Sequence, residues 1–186
     1  MYGLVNKALQ EMVEKQFDPT VWATIRADAG VDDDVFISLD AYPDEITYRL
    51  VGAVAAVTQQ DPAAILHDFG RHWVLDTASK HYGHLLQASG RTFSQFLQAL
   101  PNFHTRVSLM MPRLIPPEFA CDNIEAQRMI LHYRSTRVGL VPFVDGLIHG
   151  LADLYAVAVT VKVLPERSEG PGHTAFEVAW VDKVIS

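Results

Sequence analysis

The sequence predicts an α+β domain: an N-terminal helical part, then an antiparallel sheet with one long helix inserted. Three observations carry the prediction. Apolar residues recur at helical spacing from Leu4 into the segment that ends at Pro112. The pattern switches to alternation in QRMILHYRST, residues 127–136. A helical stretch at 140–155 then separates that segment from two more alternating ones, 156–164 and 174–184. Helices first and alternating segments after them make segregated helices and an antiparallel sheet.

The elements follow in order. Leu4, Val5, Ala8, Leu9, Met12 and Val13 share one face of a first helix. DPTVWATIRADAG (18–30) is a second, with Asp18 or Thr20 as cap and Gly30 as stop. PDEITYRLVGAVAAVTQQ (43–60) is a third, opening on Pro43 and two acids that suit the positive end of the helix dipole. DPAAILHDFGRHWVLDTAS (61–79) is a fourth, capped by Asp61. TFSQFLQALPNFHTRVSLMMP (92–112) begins with a capping box, Thr92 and Gln95, and Pro101 predicts two helices or one broken there. RLIPPEF (113–119) is extended, because adjacent prolines exclude helix, and PERSEGPGH (165–173) is a loop. In the inserted helix, Leu140, Val144, Leu147, Ile148, Leu151 and Leu154 lie on one side. The acids of DDD (32–34) read as a solvated turn.

Composition narrows the function. The 186 residues, 49% hydrophobic and 20% charged, suit a single domain spanning 1–186 with room for a core and a pocket. A net charge of −7 disfavours nucleic acid, which calls for a basic patch, and no basic cluster favours an anionic membrane. Cys121 is the single cysteine, so no intramolecular disulfide forms and a reducing cytoplasm is the expected compartment. The first residues are amphipathic and charged, unlike a signal peptide, and the apolar run VGAVAAV (51–57) is too short to span a bilayer.

Two features point to a site. In a strand, Tyr133, Ser135 and Arg137 share a face with Met129 and Leu131, a wall that begins apolar and ends polar. Arg and two hydroxyls suit a ligand with an apolar body and carboxylates at one edge. The competing reading is an exposed strand end bonded to water or backbone. His104, if helical, shares a face with Val107, Ser108 and Met111, as a ligand or as a core histidine satisfied by a carbonyl. His67 and His72 are five apart, off the helical metal spacing of four, and His81 and His84 have no third ligand nearby. Cys121 offers iron ligation or oxidant sensing, though a lone cysteine is more often inert. Phosphate-loop, serine-hydrolase and paired-carboxylate signatures are absent, so no enzyme is expected.

Taken together, MYGLVNKAL, PNFHTRV, LIPPEF and HYRSTRVGL running into VPFVDGLIHGL resemble the heme nitric oxide/oxygen binding (H-NOX) domain family, which includes stand-alone bacterial proteins and the sensory part of soluble guanylate cyclase. The resemblance covers nearly the whole chain. It implies heme b held between the two parts, with a helical subdomain at about 1–60 and a heme-ligating subdomain at about 61–186. It implies His104 as the iron ligand, Tyr133, Ser135 and Arg137 on the heme propionates, and Pro117 against the porphyrin. The distal wall is assigned to Val5, Trp73, Phe143 and Leu147. Family members that hold O2 carry a distal tyrosine on the helix after the Tyr-x-Ser-x-Arg motif; this chain has Phe143 at or beside that position and no tyrosine before Tyr155, so the implied gases are NO and CO. O2 is the alternative if the Trp73 indole faces the gas instead of meeting a backbone carbonyl. A peroxidase-like heme enzyme is a further alternative, with His72 as its nearest polar candidate. With no output domain expected in the chain, the implied partner is a separate histidine kinase or cyclic-di-GMP enzyme.

Overall fold

The computed structural model describes residues 1–18, 20–32 and 35–183. The acids Asp33 and Asp34 and the end of the last expected strand, Val184, lie outside the described residues. Helices α1 (Gly3–Gln16), α2 (Thr20–Asp28) and α3 (Asp44–Thr58) form the helical part, and α4 (Pro62–His72) packs onto it. Their apolar faces meet in one core: Leu9 and Met12 pack with Ile25 of α2, Leu50 and Val54 of α3 and Phe69 of α4. Asp18 Oδ1 accepts from the Thr20 N–H at 2.9 Å and from its hydroxyl at 2.6 Å, which sets the start of α2. Asp61 precedes α4, but its side chain makes no capping bond, contrary to expectation. Pro62 removes one of the free donors a cap would meet, and the Ile65 N–H bonds to the Asp61 backbone carbonyl at 3.1 Å.

The fourth helix does not stop at Ser79. It passes through a π turn, Trp73–Ala78, directly into α5 (Ser79–Ser89), which kinks at Tyr82. Helix α6 (Phe93–Met110) runs unbroken through Pro101. Proline has no N–H, so the Leu97 carbonyl loses its usual donor. Cys121 supplies another, its thiol donating to that carbonyl at 3.7 Å. At the start of α6, Thr92 Oγ1 accepts from the Gln95 N–H at 3.2 Å, as the capping box requires. The Gln95 side chain reaches back to the Arg91 N–H instead of to Thr92, at 3.0 Å.

The sheet has four antiparallel strands in the order β1-β2-β4-β3: β1 (Glu118–Asp122), β2 (Arg128–Arg134), β3 (Val157–Val163) and β4 (His173–Asp182). Only β1 was not anticipated as a strand; the extended segment after the prolines pairs with β2, Cys121 opposite Leu131. Helix α7 (Val141–Leu154) is the inserted helix. Its Val144, Ile148 and Leu151 join Met129, Leu131, Phe176 and Val178 of the sheet and Phe96 of α6 in a second core. Expected loop 165–173 holds one short 3-10 turn, Pro165–Arg167. No helix among the described residues is long and apolar enough to cross a membrane.

The two cores are joined where α4 crosses α7. A Cβ on Gly146 would strike the His67 carbonyl, and one on Gly70 would strike that of Phe143. At Gly150 it would lie 2.9 Å from Val74 Cβ and 3.0 Å from the Arg71 carbonyl oxygen. At the edge, Asp153 accepts from Arg71 at 2.7 Å and Lys183 at 2.9 Å. Gly146→Ala is therefore expected to lower the unfolding free energy by about 1–3 kcal/mol or more, the usual cost of overpacking. Gly52→Ala, in a helix position with open space around it, is expected to raise it by up to about 1 kcal/mol. Urea midpoints of the two variants check both signs.

Candidate functional site

A cavity of about 260 Å³ lies where the two parts meet. Val5 of α1, Trp73 of the π turn, His104 of α6, Pro117 before β1, Tyr133 of β2, Ser135, Arg137, and Phe143 and Leu147 of α7 all line it. Every residue that the resemblance assigned to the iron, the propionates, the porphyrin or the distal wall thus reaches one space. Its wall is mostly apolar, with Tyr133, Ser135 and Arg137 supplying a polar end.

His104 sits one turn after Leu100 on α6, and its Nδ1 lies 2.9 Å from the Leu100 carbonyl oxygen. A carbonyl only accepts, so Nδ1 carries the proton and Nε2 keeps the lone pair. Burial pulls the imidazole's pKa below its ordinary value, opposed by the Leu100 bond, so the ring is neutral at pH 7. Phe119 stacks on it, ring centres 5.4 Å apart at 24°. Of the helical neighbours expected, Val107 and Met111 also line the cavity; Ser108 does not.

Strand β2 ends at Arg134, so pleating alone does not place Ser135 and Arg137. The Ser135 N–H extends the ladder by one bond to Gly172, at 2.9 Å, and Ser135 Oγ accepts from the Arg137 N–H at 3.0 Å. Arg137 Nε donates to Asp44 Oδ2 at 2.7 Å, and its Nη1 donates to the Ile115 carbonyl at 2.8 Å. That leaves the planar guanidinium further N–H groups at the polar end of the cavity. Burial raises the Tyr133 pKa, opposed by Ser135 and by the Arg137 charge, so its hydroxyl stays protonated and able to donate.

Asp44 is the residue that sequence reasoning assigned only to the helix dipole. Its carboxylate also receives the Met1 amino group, and so ties the start of α3 to the turn after β2. Burial pushes its pKa up, but hydrogen bonds from the amino terminus and Arg137, with their charges, hold it below the ordinary value. No local pattern pairs residues so far apart in sequence. Tyr2 and Tyr82, which also line the cavity, were missed for the same reason.

On the wall of Val5, Phe143 and Leu147, Trp73 packs against Phe69, ring centres 6.4 Å apart, and Phe69 against Phe143 at 5.1 Å. The expected backbone carbonyl partner for the indole is not there: among the described residues, the Trp73 indole N–H makes no hydrogen bond, while its backbone N–H bonds within the helix. His72 does not line the cavity; its Nδ1 pairs with Asp76 at 3.0 Å. Cys121, with burial pushing its thiol up to about 11, is a protonated donor to α6 and does not line the cavity either.

The donor set fits a heme. One neutral imidazole with a lone pair suits iron, an apolar wall suits a porphyrin, and an arginine beside two hydroxyls suits two carboxylates.

The Haem-NO-binding family model matches residues 2–163. The chain is 27% identical over 165 residues to soluble guanylate cyclase gcy-31 of Caenorhabditis elegans, covering 88% of this chain and 24% of that protein. It is 23% identical over 183 residues to soluble guanylate cyclase 89Da of Drosophila melanogaster, covering 98% and 27%. The chain thus spans about a quarter of the length of these relatives. Among solved structures it resembles an H-NOX protein from S. oneidensis in the Fe(II)NO state, at a TM-score of 0.85 and 19% identity, covering 98% of this chain and 100% of that one. It also resembles an unliganded Fe(II) H-NOX protein from K. algicida, at 0.86 and 18%, covering 100% of both. At these identities the structural likeness shows the fold.

Because the Asp44 carboxyl is held below its ordinary value of 3.8, its contribution to stability is present above that pH and is lost as pH falls through the folded-state value. Asp44→Asn is expected to be less stable than the parent at pH 7, with the gap closing below pH 3.8. Urea midpoints of both proteins from pH 3 to pH 7 check the sign.

Proposed function

The chain belongs to the Haem-NO-binding family, and from that premise we propose that it is a gas sensor whose cavity holds heme b through His104. The observation that supports this best is the neutral imidazole of His104 on an apolar wall, its Nδ1 fixed by the Leu100 carbonyl. A metal-bound histidine is held in that way, by a bond from its second ring nitrogen. When bound, the heme supplies a ferrous centre with a position open to a diatomic gas. Tyr133, Ser135 and Arg137 donate to its propionates, and Pro117 limits where the ring can settle. Val5, Phe143 and Leu147 keep water from the gas side. The sensor lies in the cytoplasm, and its report goes to an effector, a histidine kinase or a cyclic-di-GMP enzyme. The two parts, about 1–60 and 61–186, act as bodies joined at the cavity.

His104→Gly tests the iron ligand. The variant loaded with heme is expected to lose the parent's ferrous absorption spectrum and to regain it when imidazole is added. A parent-like spectrum without imidazole would show that another group ligates the iron.

The gas is set by donors on the wall facing it. Phe143 offers none, so NO and CO are the ligands of the main reading. The unpartnered indole N–H of Trp73 favours one second reading, in which O2 is held by a hydrogen bond from it. A hydrogen bond to a charged group is worth about 1.5–3 kcal/mol, roughly ten- to a hundredfold in affinity. Exposing the reduced protein to air separates the two. The NO reading expects O2 not to be retained; retention that disappears in Trp73→Phe would establish the O2 reading.

A further inference from the structure

A second cluster of ligating side chains lies at the α4–α7 crossing and takes no part in the cavity. His67 of α4 and Asp145 and His149 of α7 each offer one ligand atom, all within 4.8 Å of one another. We propose that these three side chains bind one divalent transition-metal ion, zinc above all.

Four observations carry the site. Asp145 and His149 are four apart on α7, so they project from one face, the spacing that suits two ligands of one ion. His67 is brought to them by the glycine crossing: its carbonyl sits where a side chain at residue 146 would be, so the separation of the two helices is fixed there. The imidazoles of His67 and His149 approach edge to face, ring centres 5.0 Å apart. Asp145 Oδ1 is buried and accepts no well-formed hydrogen bond, although His149 Nδ1 lies 3.2 Å away. A buried carboxylate oxygen whose nearest donor is poorly aligned is under-satisfied, and a cation would meet that need.

The surroundings suit ligation. His149 Nδ1 lies 3.0 Å from the Asp145 carbonyl oxygen, a bond that leaves Nε2 with the lone pair. His67 Nδ1 has the Asp68 carboxylate 3.6 Å away. Such partners orient the imidazoles of metal sites. The three side chains are about a third exposed, at 32%, 36% and 34%. Their ligand atoms, within 4.8 Å of one another, have to draw closer together for bonds of about 2.0–2.2 Å, and the partial exposure leaves room for that. Two imidazoles and one carboxylate form the donor set of Zn2+, Ni2+ and Cu2+, whereas Mg2+ and Ca2+ take oxygen ligands. Three protein ligands leave a fourth position for water.

The ion would clasp two elements that also shape the cavity. Phe143 and Leu147 are on α7, and Trp73 directly follows α4. The site itself does not depend on what the cavity holds. Only the Asp145 and His149 spacing of four is local in the chain; His67 lies far along it from its partners.

Zinc titration of the purified protein against a chelating chromophore, followed by elemental analysis after desalting, tests the proposal. One zinc per chain is expected, in heme-loaded and heme-free protein alike, so the outcome is separable from the heme reading. His67→Ala and His149→Ala are each expected to weaken binding more than the roughly 10–100-fold that loss of an outer partner costs. The His81→Ala/His84→Ala variant should bind as the parent does. Zinc should also raise the melting temperature of the parent but not that of Asp145→Asn, a change too small to disturb folding. Absence of saturable zinc binding by the parent, or undiminished binding by a folded His67→Ala/His149→Ala variant, would overturn the proposal.

Discussion

Helices α4 and α7 meet backbone to backbone because Gly70, Gly146 and Gly150 carry no side chain where they cross. Each glycine in a helix interior costs roughly 0.5–1 kcal/mol against alanine. The contact offsets this with packing between two main chains and with the Asp153 ion pairs at its edge. The approach fixes the rotation of α7 about its own axis. Val144, Ile148 and Leu151 are buried against the sheet, Phe143 and Leu147 reach the cavity, and Asp145 and His149 turn toward His67. A helix held less closely would let these faces roll, and the cavity would lose one wall.

The π turn that follows α4 extends the same constraint. It winds an extra residue into the turn, and so brings Trp73, Val74 and Ala78 to the cavity. The local cost is visible: His72 Nε2 and Thr77 Oγ1 are buried there without hydrogen bonds. Unmet buried groups cost about 1–3 kcal/mol each. Strain of this kind persists where the surrounding packing over-determines the backbone, and here α7 packs along the segment while Lys15 of α1 pairs with Asp76. The sequence read as an ordinary helix to Ser79 because one inserted residue leaves the apolar spacing before and after it intact.

Much else was legible. The change from helical to alternating spacing located the sheet, and Thr92 marked the start of α6 because a cap is a local bond. The alternation of Tyr133, Ser135 and Arg137 placed all three at one cavity even though the strand ends before two of them. What failed depended on distant partners. Pro101 signals a break only if the freed Leu97 carbonyl goes unmet, and Cys121 meets it from a strand that itself had no clear pattern. Asp44 reads as a dipole acid until Arg137 folds against it. Asp61 has the right chemistry for a cap, but the proline that follows removes one of the donors it would serve.

The link between Cys121 and Leu97 also bears on how a change at the cavity travels. His104 lies within one turn of Pro101 on α6, where a backbone hydrogen bond is missing and the helix is locally easier to bend. The compensating donor is on β1, and its thiol, with a pKa of about 11, stays protonated at neutral pH. Movement of the imidazole therefore loads β1 through a contact that pH does not release. Pro117 immediately precedes that strand, and Phe119 of β1 stacks on the imidazole. On the proposed reading, both the group that holds the iron and the residue that limits the porphyrin bear on β1. Arg137, across β2, is tied back to the helical part by Asp44. A force on His104 then has two routes, bending α6 at Pro101 or shifting the sheet against the Asp44 tie. The backbone bond already missing at Pro101 makes the first the softer of the two.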